Sequence, residues 1–197
     1  MKLYYAPGAC SLADHIALHE AGLDFELERV DLKPKLTEHG RDYREVNAKG
    51  YVPALTLDSG EHLSENIAIL DWISHQSATL KPEGPLGQTR QLEALAYISG
   101  EVHKSFAPML KGGSDEDKAA ARRQVEAKLA FLAGTMKGDH LFSDRPGVAD
   151  FYLFVMLTWA TRMGFDIPAP LVAMRDRLMT RPSVVTAMTH EGLIKAS

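Results

Sequence analysis

The chain has 197 residues, 45% of them hydrophobic, enough to build one large domain or two small ones. Its net charge of -4 argues against nucleic acid or an anionic membrane surface as the main partner. No apolar run approaches the roughly 20 residues of a membrane span. The single cysteine excludes an internal disulfide and suits a reducing compartment. The opening Met1-Lys2-Leu3 reads as the start of a strand rather than a signal peptide, so a cytoplasmic location is expected. Charge is unevenly spread, with seven basic against thirteen acidic residues over 1–80 and fifteen against thirteen over 81–197, a shift that hints at two modules.

In chain order, Lys2 to Tyr5 reads as a strand. The break at Pro7-Gly8 is followed by a helix from Ser11 to Ala21, opened by the capping-box pattern Ser11-Leu12-Ala13-Asp14 and closed by Gly22. A second strand follows, in which Phe25, Leu27 and Arg29 alternate with Glu26 and Glu28. A polar, weakly helical stretch over 37–46 leads to Tyr51-Val52-Pro53 and a hairpin of two strands, 54–57 and 62–63, joined at Asp58-Ser59-Gly60. Ser64-Glu65-Asn66 opens a largely buried helix carrying Ile67, Ile69, Leu70, Trp72 and Ile73. The order β-α-β-α-β-β-α, with right-handed crossovers, gives a mixed four-stranded sheet of thioredoxin-like arrangement. This α/β module is expected over 1–80.

Pro82, Gly84, Pro85 and Gly87 mark a linker at 81–87. The remainder, 88–197, reads as an all-α helical bundle. A long helix runs from Gln88 to Lys111 and is kinked at Pro108. A second starts at Ser114-Asp115-Glu116-Asp117 and continues to Gly134. The apolar run Val148 to Met163 suits a central helix, and two shorter helices lie near 171–179 and 183–190.

Three separated features carry chemistry. Cys10 lies at the N-terminal end of the first helix, where unpaired N–H groups and the helix dipole favour thiolate. Lacking a second thiol nearby, it needs an external one for any redox cycle. Val52-Pro53 is a candidate cis bond that turns the Val52 backbone outward toward an extended peptide-like ligand. Ser64-Glu65-Asn66 offers a helix start, a hydroxyl and an amide to a carboxylate, and Glu65 to an ammonium group. Lys35 supplies a cation for a second carboxylate. Together these describe a site for a zwitterionic thiol peptide.

The segments Tyr5-Ala6-Pro7-Gly8-Ala9-Cys10-Ser11, Asn47-Ala48-Lys49-Gly50-Tyr51-Val52-Pro53-Ala54-Leu55, Leu63-Ser64-Glu65-Asn66 and Glu101-Val102-His103-Lys104-Ser105-Phe106 resemble a bacterial beta-class glutathione S-transferase, from Met1 to about Lys195. The resemblance implies a thioredoxin-like domain, an all-helical domain, a homodimer, and conjugation of the glutathione thiolate to small hydrophobic electrophiles. It places Cys10 against the glutathione sulfur with Ser11 beside it, and Tyr51, Val52 and a cis Pro53 along the cysteinyl part. Ser64, Glu65 and Asn66 would hold the γ-glutamyl end and Lys35 the glycine carboxylate. His103 and Lys104 would approach the sulfur, and Phe106, Pro108 and Trp159 would form the electrophile pocket. Ala96 stands where the family often has asparagine, and Gly147 where it has a Ser or Thr cap.

Blander readings exist for each feature: an inert lone cysteine, an ordinary strand start at Val52-Pro53, an ordinary cap at Ser64. Only their joint order is specific. His15 and His19, one turn apart, lack a third ligand of a metal motif, so no metal is assigned and a surface or capping role is expected. Rival activities are glutathione-dependent thiol exchange or reductive dehalogenation through Cys10, and non-catalytic binding of hydrophobic ligands.

Overall fold

The computed structural model describes residues 1–195. The chain divides into two compact units, Met1–Pro82 together with the stretch beginning at Thr180, and Glu83–Met179.

The first unit is built on strands β1 (Lys2–Tyr5), β2 (Glu26–Asp31), β3 (Leu36–Thr37), β4 (Ala54–Thr56) and β5 (His62–Ser64), in the order β3-β2-β1-β4-β5. β1 and β2 are parallel, with Leu3 opposite Leu27; β1–β4, β4–β5 and β2–β3 are antiparallel. The thioredoxin-like arrangement is therefore present, with β3 adding a two-residue edge to the four strands expected. It consists of Leu36 and Thr37, so the strand takes the first residue of the stretch expected to be weakly helical. The helix expected over 37–46 reduces to one 3-10 turn, Tyr43–Glu45, where the Asp42 carboxylate caps the Arg44 N–H at 2.9 Å. Asp42 and the turn residues fill the segment with local side-chain bonds that compete with a regular helix. The covered face of β2 also differs from the alternation expected. Glu28 and Val30 are buried and Leu27 is half-buried, because Lys2 Nζ donates to the Glu28 carboxylate at 3.1 Å and removes the penalty of burying it alone.

Helices α1 (Leu12–Glu20) and α2 (Asn66–Gln76) pack together, and α8 (Pro182–His190) packs on α1. The placement of α8 departs from a purely helical module over 88–197. It is explained by polar ties to α1: the Arg181 guanidinium and the Ser183 hydroxyl both donate to the Glu20 carboxylate, and Glu191 reaches His15. The α1 capping box is absent. Ser11 already has helical dihedrals (φ -57, ψ -18), so its hydroxyl cannot reach forward to an α1 amide and instead meets the backbone of Ala6.

In the second unit the long helix is not one rod. α3 (Gly87–Tyr97) passes into a π-helical segment, Ile98–His103, before the short α4 (Ala107–Leu110). Pro108 sits in the first turn of α4, where its missing N–H costs nothing, so the break precedes the proline. α5 (Asp115–Thr135) carries the expected box, with Asp117 N–H donating to Ser114 Oγ at 3.1 Å and Ser114 N–H to the Asp117 carboxylate at 3.1 Å. α6 (Val148–Arg162) is buried on nearly every side, and α7 (Ala169–Met179) packs against it.

Asp150 anchors α6. Its buried carboxylate accepts from Gly147 N–H at 2.8 Å and from Leu141 N–H at 2.9 Å, and burial raises its pKa to about 6 against the pull of those two amides. Asp150→Ala leaves both amides unmet and is expected to cost about 2–4 kcal/mol in urea unfolding. Gly147 has an extended backbone and only ordinary van der Waals neighbours around an added Cβ. Gly147→Ser is therefore expected to stabilise the chain by roughly a few tenths of a kcal/mol.

Candidate functional site

The turn between β1 and α1 positions Cys10. Ala9 N–H donates to Ala6 O at 3.0 Å, Gly8 takes φ +69, and Gly8 N–H donates to Glu191 Oε2 at 2.8 Å. Ser11 is fully buried and tied to Ala6, so its hydroxyl secures the turn and does not face outward. Cys10 Sγ lies 3.6 Å from the carbonyl of Val52, to which its S–H donates. The Val52–Pro53 bond is cis, and among the described residues the Val52 N–H donates no hydrogen bond. The structure thus brings Cys10, Val52 and Pro53 together.

Two non-glycine residues adopt positive φ among the described residues: Lys35 (φ 60) and Glu65 (φ 76). Such backbones are strained for L residues, by about 1–3 kcal/mol each, and cluster at ligand sites. They are also the two charged residues expected to hold the opposite ends of a peptide. Lys35 Nζ donates to Gly50 O at 2.8 Å and lies 5.6 Å from the centre of the Tyr51 ring. An ammonium has three protons, so this one neutral acceptor leaves capacity for a carboxylate. A Cβ at Gly50 would stand 3.3 Å from the Lys35 stem, and φ +65 suits glycine there. The Tyr51 ring is exposed, while its carbonyl accepts from Tyr43 OH and Asn47 Nδ2, both at 2.8 Å.

Ser64 ends β5 opposite Ala54, and Glu65 and Asn66 lead into α2. Glu65 is exposed and paired with Lys49. Asn66 is buried against Asp14, and with its amide nitrogen turned toward that carboxyl it donates to both oxygens. Asp14 was read only as half of a cap. Full burial holds its pKa well above the ordinary carboxylate range. Lys49 and Asp14, which sequence reasoning does not single out for the site, thus touch Glu65 and Asn66. Lys49 lies within the 47–55 segment, whereas Asp14 reads as a routine first-turn acid.

The electrostatics of Cys10 reverse the expected thiolate. The residue is only partly buried, but its thiol is shut in; desolvation first, then the Asp14 carboxyl, push it up to about 12, while the amides of Cys10 and Ser11 pull down less. The helix-start argument has the right sign, and burial outweighs it.

His103, Phe106 and Trp159 meet within the helical unit. His103 Nδ1 lies 2.7 Å from Tyr152 OH, and its ring stands edge-on to Trp159 at 5.0 Å. Burial lowers the His103 pKa, which keeps the ring neutral. Lys104 is exposed, and Pro108 is half-buried. Phe106 is fully buried between Trp159 at 5.5 Å and a parallel Phe165 at 5.8 Å. It supports the aromatic cluster from within and is not pocket surface. Helix periodicity alone does not separate these two roles.

Residues 9–76 match the family model of the glutathione S-transferase N-terminal domain, and 115–185 that of the C-terminal domain. The chain is 40% identical to the glutathione S-transferase GstA of Escherichia coli O157:H7, over 98% of this chain and 100% of that protein. It is 36% identical to glutathione S-transferase GST-4.5 of Xanthomonas campestris, over 98% and 100%. Among solved structures, a sphingomonad glutathione S-transferase complexed with glutathione has a TM-score of 0.90 at 46% identity, covering 98% of this chain and 100% of its own. A beta-class enzyme of Sphingomonas chungbukensis has a TM-score of 0.91 at 44% identity, with the same coverage.

A thiol held up to about 12 has two measurable consequences. Alkylation of Cys10 by iodoacetamide is expected to accelerate about tenfold per pH unit from 7 to 10 without levelling; a plateau near pH 7 would contradict this. The native thiol keeps its proton above its ordinary value of 9.0. Its contribution to stability is therefore complete below pH 9 and lost as pH rises toward 12. Urea unfolding of the wild type should weaken between pH 8 and 10.5 more than that of Cys10→Ser.

Proposed function

The chain belongs to the glutathione S-transferase family, and on that premise we propose how its own residues carry out the transfer. Glutathione is the co-substrate, and its thiolate attacks an electrophilic carbon, so the site must favour loss of the thiol proton. Glutathione lies extended along Val52, whose unpaired N–H, and whose carbonyl beside the Cys10 S–H, pair with the cysteinyl backbone. Lys35 takes the glycine carboxylate. Glu65 takes the γ-glutamyl ammonium, and Ser64 with the Asn66 helix start takes its carboxylate. The observation that carries this reading is the positive φ of Lys35 and Glu65, the two charged residues assigned to opposite ends of the ligand.

Cys10 acts as a protonated donor. Its S–H, now directed at the Val52 carbonyl, is available to the glutathione thiolate; it is not itself the nucleophile. Thiol exchange and dehalogenation, which need Cys10 as thiolate, gain no support from a thiol so firmly held. The electrophile is a soft hydrophobic carbon compound received by Trp159 and Pro108, with Phe106 behind. His103 and Lys104 assist the sulfur, as the family resemblance implies. The enzyme works as a homodimer in the cytoplasm. No helix among the described residues is long and apolar enough to cross a membrane.

The test separates donor from nucleophile. Cys10→Ser retains a stronger O–H donor and is expected to keep or raise kcat/KM for a model aromatic halide. Cys10→Ala should lose roughly fivefold, from about 1 kcal/mol for one weak hydrogen bond. Serine as impaired as alanine would return the role to a thiolate. In calorimetry, Lys35→Ala and Glu65→Gln should each weaken glutathione binding roughly tenfold or more, from about 1.5 kcal/mol per charged hydrogen bond.

A further inference from the structure

Two histidines one turn apart on α1 take no part in glutathione chemistry, and the fold sets a third imidazole beside them. His190 ends α8, which packs on α1 within the same unit. One ring nitrogen from each of His15, His19 and His190 lies within 4.8 Å of the others. Ring centroids are separated by 5.0 Å for His15 and His19, 5.7 Å for His15 and His190, and 5.5 Å for His19 and His190. His15 is fully buried, His19 half-buried and His190 exposed, so the triangle has one solvent-facing corner through which an ion enters.

The two inner rings are incompletely satisfied. Nε2 of His15 and Nε2 of His19 are buried with no hydrogen-bond partner. A buried polar nitrogen left alone is costly, and two such atoms on neighbouring rings call for a ligand that accepts both lone pairs. The other nitrogen of His15 is already committed, since Nδ1 lies 3.0 Å from Glu191 Oε1. With the proton on Nδ1 and donated to Glu191, Nε2 presents a bare lone pair, the carboxylate–histidine arrangement that orients imidazole ligands on metals. Phe25 stands edge-on to both inner rings, at 5.7 Å from His15 and 4.9 Å from His19, and forms an apolar wall.

We propose that His15, His19 and His190 form a binding site for a divalent transition-metal ion, zinc in the first instance, that clasps α8 to α1. Three imidazoles without thiolate suit zinc and its borderline neighbours, whereas calcium and magnesium require oxygen donors. A tetrahedral ion with Zn–N distances near 2.0–2.1 Å needs ligand atoms roughly 3.3 Å apart, so the triangle closes by at most about 1.5 Å on binding. His190, at the helix end, and the half-buried His19 are the rings with room to move, and water takes the fourth position. Glu191 also accepts from Gly8 N–H, so the ion braces the turn leading to Cys10 without contacting it.

The test uses the full chain without a histidine tag, stripped by a chelator and titrated with zinc chloride alone in calorimetry. The wild type should take up one equivalent saturably and gain thermal stability. His190→Ala changes an exposed ring and should leave folding intact, yet weaken binding at least tenfold and remove the thermal gain; His19→Gln should do the same. Cys10→Ala should bind as the wild type does, which separates this site from the thiol. Cobalt substituted for zinc should give the visible absorption of a four-coordinate nitrogen site. Absence of saturable uptake by the wild type, or affinity unchanged in both His190→Ala and His19→Gln, would overturn the proposal.

Discussion

A helix buried along most of its length, entered at a buried hydroxyl and carrying a carboxyl and an imidazole, is the constraint on which the first unit depends. Ser11 at the entry to α1 and Asp14 and His15 on it are all fully buried, and each must find a partner or destabilise the fold. Their partners are not scattered. Ser11 secures Ala6, His15 reaches through Glu191 to the Gly8 amide, and Asp14 meets Asn66 beside Glu65. The contacts that satisfy the buried groups are therefore the ones that hold the Cys10 turn and the start of α2. Placement of the site and stability of the unit come from one set of bonds.

That economy has a chemical consequence. The burial that anchors the turn also encloses the Cys10 sulfur near Asp14, and the thiol keeps its proton. A helix N-terminus favours thiolate only where the sulfur still meets water or a cation, and here desolvation outweighs both amides. The neutral thiol suits the proposed role as donor to a negative sulfur, and the groups proposed to hold the peptide around it rely on main chain and fixed charges. Lys35 and Glu65 hold strained backbones, a cost offset by the Lys35–Gly50 bond, the Tyr43 amide bond to Lys35 O, and the α2 bond to Glu65 O.

Much of this was legible in the sequence. The Ser114 box and the apolar run of α6 mark their helices in the chain, and the joint order of Cys10, Val52-Pro53 and Ser64-Glu65-Asn66 marks the candidate site. What escaped depends on tertiary partners. Glu28 reads as an outward residue until Lys2 is beside it, and Ser11 reads as a cap until its own helical dihedrals exclude that role. Asp14 and Glu191 look like ordinary surface acids in one dimension. The apolar patterns around Phe106 and Trp159 do not say that the two rings meet edge to face. The third histidine lies 171 positions beyond His19 in the chain, so no spacing motif could have paired them.

The central claim is that glutathione is gripped through the Val52 backbone beside a protonated Cys10. It is tested most directly by following backbone amides of the labelled protein by NMR during a glutathione titration. The account predicts that the Val52 amide proton moves strongly downfield as it gains a carbonyl partner, with smaller shifts at Glu65 and Asn66. Saturating glutathione that leaves the Val52 amide unmoved would contradict it.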